Sequence, residues 1–111
     1  MNATELPKVI TDFVTALDAR ETDVALGFLT DEASVTDQGK TYHGADEIRA
    51  WLVGPASEFT YTSAVTGVTM ADSHHYDVLQ HLEGNFPSGV VDLHYRFTLD
   101  GGKISQLVCE P

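Results

Sequence analysis

At 111 residues the chain is the size of one domain and is long enough to bury a core without metal or disulfide staples. Six Lys and Arg against 17 Asp and Glu give a net charge of -11, which repels phosphate backbones and anionic lipid surfaces and excludes nucleic acid and membrane as partners. A single cysteine, Cys109, rules out an internal disulfide and fits a reducing, cytoplasmic setting. No apolar run is long enough to span a bilayer. Met1 to Glu5 lacks the basic-then-apolar pattern of a secretory signal.

Leu6, Val9, Ile10, Phe13, Val14 and Leu17 recur at three- and four-residue spacing and predict a helix of roughly four turns. Thr4 is its expected N-cap, with Glu5 and Pro7 in the first turn. A second, shorter helix carries Val24, Ala25, Phe28 and Leu29 on one face and ends at Thr30-Asp31-Glu32. Ala33, Val35 and Asp37 alternate with Ser34 and Thr36 as a strand. Gln38-Gly39-Lys40 supplies a turn, and Thr41-Tyr42 a short return strand. The third helix opens at Gly44, buries Ala45, Ile48, Trp51 and Leu52, and stops at Gly54-Pro55.

The remainder reads as long strands rich in Thr, Val, Tyr and Phe: Phe59 to Met70, His74 to Phe86, Val90 to Leu99 and Ile104 to Glu110. Ala71-Asp72-Ser73, Pro87-Ser88-Gly89 and Asp100-Gly101-Gly102 are the turns between them. Strands of this length bend, so at least one bulge is expected. Helices followed by a meander predict an α+β architecture: three N-terminal helices on a strongly curved, mostly antiparallel sheet of about six strands, with a ligand cavity between the layers.

This arrangement resembles the nuclear transport factor 2-like superfamily, in particular its SnoaL-like and ketosteroid-isomerase-like branches. Phe13 to Ala19, Asp31 to Asp37, Gly44, Ile48, Trp51, His94 to Phe97 and Gly102 to Ile104 carry the resemblance, which spans nearly the whole chain. It implies a single domain over 1–111 with a cystatin-like cone and a homodimer formed through the outer sheet face. It also implies isomerase- or polyketide-cyclase-like acid–base chemistry, among a range of activities and non-catalytic roles. The resemblance places the general base on Asp37. It places the two oxyanion donors of the isomerases at Phe13 and Leu93, and neither can donate; Asp92 is one residue off and faces the other way.

Asp37 in an apolar wall would gain a raised pKa by desolvation, as a base needs; the plainer alternative is that it bonds its own turn. Alternation in the register of the family sends Tyr76, Val78, Gln80 and Leu82 inward, with Val91, Leu93, Tyr95, Phe97, Leu107 and Cys109. The expected pocket lining is therefore Phe13, Trp51, Tyr76, Gln80, Leu93, Tyr95, Phe97 and Cys109, for an apolar small molecule. For any one aromatic there, plain core packing is the alternative and the better-supported reading. The five histidines show no metal-binding spacing, so neither a metal nor a cofactor is expected. His75, Asp77, His81, Asp92, His94 and Arg96 belong on the outer face. Two functions stay open: an isomerase, cyclase or lyase working through Asp37, and a non-catalytic ligand-binding or association domain of the same fold.

Overall fold

The computed structural model describes residues 6–55 and 60–111. In chain order it contains α1 (Lys8–Asp18), α2 (Thr22–Leu26), β1 (Leu29–Asp37), β2 (Lys40–His43), α3 (Gly44–Val53), β3 (Tyr61–Asp72), β4 (His75–Gly84), β5 (Val90–Asp100) and β6 (Lys103–Glu110). The six strands form one mixed sheet in the order β2-β1-β6-β5-β4-β3. Four neighbouring pairs are antiparallel, and β1 runs parallel to β6. Two helices precede the sheet and the third follows the β1–β2 hairpin, where the reading in chain order puts it, so the expectation of three N-terminal helices holds only in part. The expected cap Thr4, its neighbour Glu5 and the strand start at Phe59 lie outside the described residues.

α1 buries Ile10, Phe13, Ala16 and Leu17 along one stripe, as its periodicity dictates. Its N-cap is Pro7, whose missing N–H costs nothing where the first helical donors have no partner anyway. α2 is shorter than its apolar pattern suggests. The amide of Gly27 donates to Asp23 O and Val24 O and closes the helix. The chain then turns extended, and Ile104 N donates to Phe28 O at 2.9 Å. Leu29 therefore opens β1 instead of ending a helix, and Val24 is left 49% exposed. In α3, Ile48, Trp51 and Leu52 are buried, but Ala45 is exposed at its first turn. The Glu47 carboxylate accepts from His43 N at 2.9 Å, holding the backbone where that helix begins.

The long strands carry register shifts at Val65/Gly67, Met70/Asp72 and Thr98/Leu99. On β4 the residues Tyr76, Val78, Gln80 and Leu82 are all buried, so the period of two holds along the whole strand. Rows of inward side chains cross the sheet. One row is Val35, Leu107, Phe97 and Tyr76; the next is Asp37, Cys109, Tyr95 and Val78. Phe13 of α1 closes the first row, meeting Phe97 edge-on at 6.1 Å between centroids. That row is packed core.

Candidate active site: the Asp37 cavity

Asp37 is the last residue of β1, and the turn that follows fixes it. Gln38 and Gly39 both have positive φ, 53° and 77°, the backbone of a tight two-residue hairpin that pairs Asp37 with Lys40. Its side chain points to the helix side, where one carboxylate oxygen accepts from Trp51 Nε1 at 3.0 Å. Trp51 is held by burial on α3 and by Tyr42, whose ring lies 6.4 Å from it between centroids. The bond joins the end of β1 to the middle of α3 through one carboxylate oxygen.

Asp37 and Trp51 line a cavity of about 90 Å³ with Leu17, Tyr61, Leu82, Leu93, Tyr95 and Cys109. It adjoins a wider mouth of about 550 Å³, which shares Asp37, Leu82, Leu93 and Cys109 and adds Val91 and Val108. The inner space is small, and the mouth falls in the size range of ordinary ligand sites.

Of the eight expected lining residues, Trp51, Leu93, Tyr95 and Cys109 stand around this cavity with Asp37. The other four do not. Phe13, Phe97 and Tyr76 belong to the packed row one step further into the sheet, where side chains fill the space. Gln80 is 1% exposed and faces a separate crevice beside α1, with Leu6, Val14, Asp18, Ser63 and Val65. The cavity is shallower than the sequence suggests because Asp37 ends its strand, and only the outermost inward row is left uncovered.

Tyr61, Asp18 and Ser63 are neighbours that the sequence did not single out. Ser63 Oγ donates to Asp18 Oδ2 at 2.6 Å, and the Tyr61 hydroxyl donates to the same carboxylate. Asp18 is exposed along part of its side chain, yet burial of its carboxyl raises its pKa, against the lowering effect of those two donors. Burial, and then the Asp18 charge, push the Tyr61 phenol up to about 12. Burial likewise raises the Tyr95 phenol, with added effects from Cys109, Tyr61, Asp18 and Asp37. It also raises the Cys109 thiol, with the Asp37 charge adding to it. Cys109 is thus a buried free thiol whose surroundings disfavour the thiolate. No sequence signal links Asp18 to Tyr61, since the helix end and the strand start meet only in the fold.

The outer face carries the ionic groups. His81 bonds Asp92 at 2.7 Å and Glu83 at 2.9 Å, and those two bonds raise its pKa. Asp77 holds His94 at 2.9 Å and Arg96 at 3.3 Å, and Arg96 also pairs with Glu110. No group of three or more metal-ligating side chains occurs among the described residues, and no helix among them is long and apolar enough to cross a membrane.

The profile of the SnoaL-like domain matches residues 10–107, so the chain belongs to the SnoaL-like family. A candidate polyketide cyclase from Sinorhizobium meliloti is 25% identical, with a TM-score of 0.89 over 99% of this chain and 100% of that one. The Δ5-3-ketosteroid isomerase of a Mycobacterium species superposes with a TM-score of 0.77 at 14% identity, over 94% of this chain and 90% of its own. A ketosteroid-isomerase-like protein from Catenulispora acidiphila, solved in complex with trimethylamine, gives 0.82 at 14% identity, over 96% and 87%. No curated protein sequence matches this one.

Proposed function

We propose that this protein is a small-molecule enzyme in which Asp37 acts as general acid–base on an apolar substrate, in a reaction of the isomerase, cyclase or lyase type. The observation that carries the reading is the Asp37 carboxylate in the wall of a cavity that it shares with Leu17, Leu82 and Leu93, anchored through one oxygen by Trp51. The other oxygen takes a proton from a carbon next to a carbonyl and returns it to another carbon of the same molecule. Neighbours named for polyketide cyclisation and ketosteroid isomerisation support the class. A strongly curved cone, cytoplasmic residence and a homodimer paired through the outer sheet face belong to the same proposal. The register shifts, the lone Cys109 and the polar lattice on that face support them in turn.

The test is the conversion of cyclohex-3-enone to cyclohex-2-enone, followed by the absorbance of the conjugated product. Asp37→Asn keeps the shape and removes the base, and the rate should fall about 100-fold or more. An unchanged rate would sink the assignment of Asp37.

One observation favours the second reading, a non-catalytic binding or association domain: neither Phe13 nor Leu93 can donate a hydrogen bond to a developing oxyanion. Tight ligand binding with no turnover by the native protein would decide for it.

A further inference from the structure

An acid–base carboxylate achieves little unless something holds the charge that appears on the substrate oxygen. The inner face of the sheet limits where that group can stand. Asp37 pairs with Cys109 across β1 and β6, and Cys109 pairs with Tyr95 across β6 and β5. All three side chains face the helix layer, and all three line the same cavity. Asp37 and Tyr95 are therefore two strand spacings apart, roughly 10 Å between Cα atoms. The residue between them is the short, uncharged Cys109. A carboxylate and a phenol of unequal length thus flank a gap floored by one thiol.

Gln38 also lines the cavity, but it sits on the turn that follows Asp37, on the base's own side of the gap; the remaining donors are engaged or lie elsewhere. Trp51 Nε1 donates to Asp37 itself. The Tyr61 hydroxyl donates to Asp18. Tyr76 lies in the packed row, and Gln80 faces the crevice beside α1. Tyr95 is 6% exposed and lines the cavity together with Asp37, Cys109 and Tyr61. A buried phenol that keeps its proton can donate a hydrogen bond without ionising.

We propose that Tyr95 is the hydrogen-bond donor that holds negative charge on the substrate oxygen, across a gap that Cys109 keeps open opposite Asp37. The proposal rests on the reading of Asp37 as the base and makes the substrate class a carbonyl compound. As the C–H bond breaks toward Asp37, its electron pair enters the bond to the carbonyl carbon and the carbonyl π pair moves onto oxygen. Tyr95 holds that oxygen and keeps its own proton. Where a C=C bond adjoins the carbon that lost the proton, the far carbon of that bond takes the proton back from Asp37 as the pair on oxygen re-forms the carbonyl and the C=C shifts into conjugation, so no other reactant is consumed.

The probe is 4-nitrophenol, whose phenolate imitates the oxyanion and is yellow. It is titrated into Asp37→Asn, which removes the opposing charge, and into Asp37→Asn/Tyr95→Phe, at a pH where the free probe is half ionised. The single variant should bind the phenolate. The double variant should bind it about tenfold or more weakly, as expected for loss of a hydrogen bond to a charged group, while its affinity for neutral nitrobenzene stays the same. Equal phenolate affinity in the two, or no phenolate binding by the single variant, would overturn the proposal. Tyr95→Phe removes one oxygen only, and a matching thermal transition confirms that the double variant is folded. Should it not fold, Cys109→Leu in the Asp37→Asn background serves instead. Filling the gap should abolish phenolate binding with Tyr95 still in place, and undiminished binding would refute the arrangement. These readings do not depend on turnover. A phenolate effect without enone conversion would remove Asp37 as base and leave the donor at Tyr95 standing.

Discussion

Trp51 joins the cavity to the core through a single side chain. Its ring is buried on α3 beside Ile48 and Leu52, while its N–H reaches Asp37. Trp51→Phe keeps most of the packing and removes the donor. It should cost about 1 to 3 kcal/mol in urea unfolding, since a part-buried carboxylate loses a charge-assisted bond. It should also slow enone conversion by about tenfold, through looser placement of the base. Wild-type stability in this variant would mean that the bond contributes nothing. At this scale the sequence was informative where local chemistry is short-range: Asp37 before a Gln-Gly turn was readable as the end of a strand. It was silent on Tyr61 and Asp18, because a helix C-terminus and a strand start separated by more than forty positions meet only through the fold.

Among the elements, the β3–β4 pair shows how closely backbones can be forced together. A Cβ on Gly84 would lie 2.2 Å from Thr60 O and 2.7 Å from Tyr61 Cβ. Gly67, on the β3 side of the same pair, has room: its added Cβ would meet Leu79 Cβ at 3.6 Å. Gly84→Ala should therefore lower stability by about 1 to 3 kcal/mol, as overpacking does, whereas Gly67→Ala should change it little; urea midpoints of the two variants make the comparison. Equal midpoints would contradict the close approach. Because Tyr61 stacks on Phe86 at 5.9 Å, the first substitution should also disturb the cavity rim. Alternation along β4 and β5 was legible because each strand holds one face to the core without interruption. The boundary between α2 and β1 was misread because Ala25, Phe28 and Leu29 suit either periodicity, and the helix stop at Gly27 was outweighed by that apolar run. The helix–strand order was readable; the parallel partnership of β1 and β6 was not, since nothing local in either strand encodes it.

For the whole molecule, the outer sheet face offers a test of assembly. His81, Asp92, Asp77, His94 and Arg96 form a lattice of paired charges there, with half-buried Leu79 between them on β4. If two copies pair through this face, sedimentation equilibrium should report twice the 12.1 kDa chain mass, and Leu79→Arg should return it to a single chain by adding uncompensated bulk and charge at the centre. A wild-type mass of one chain would remove the dimer from the reading. The net charge of -11 opposes association through long-range repulsion, so the dimer should tighten as salt screens it.

The parallel pairing of β1 with β6 also sets a schedule for biosynthesis. Asp37 is made early, but its neighbour on the cavity floor is Cys109. A chain emerging from the ribosome can wind α1 and fold the β1–β2 hairpin, yet has no floor beneath Asp37 until residues 103–110 are out. Closing that long loop is among the slower kinds of contact to form. The wall beneath the carboxylate therefore waits for β6, and the cavity closes only when these two distant strands meet.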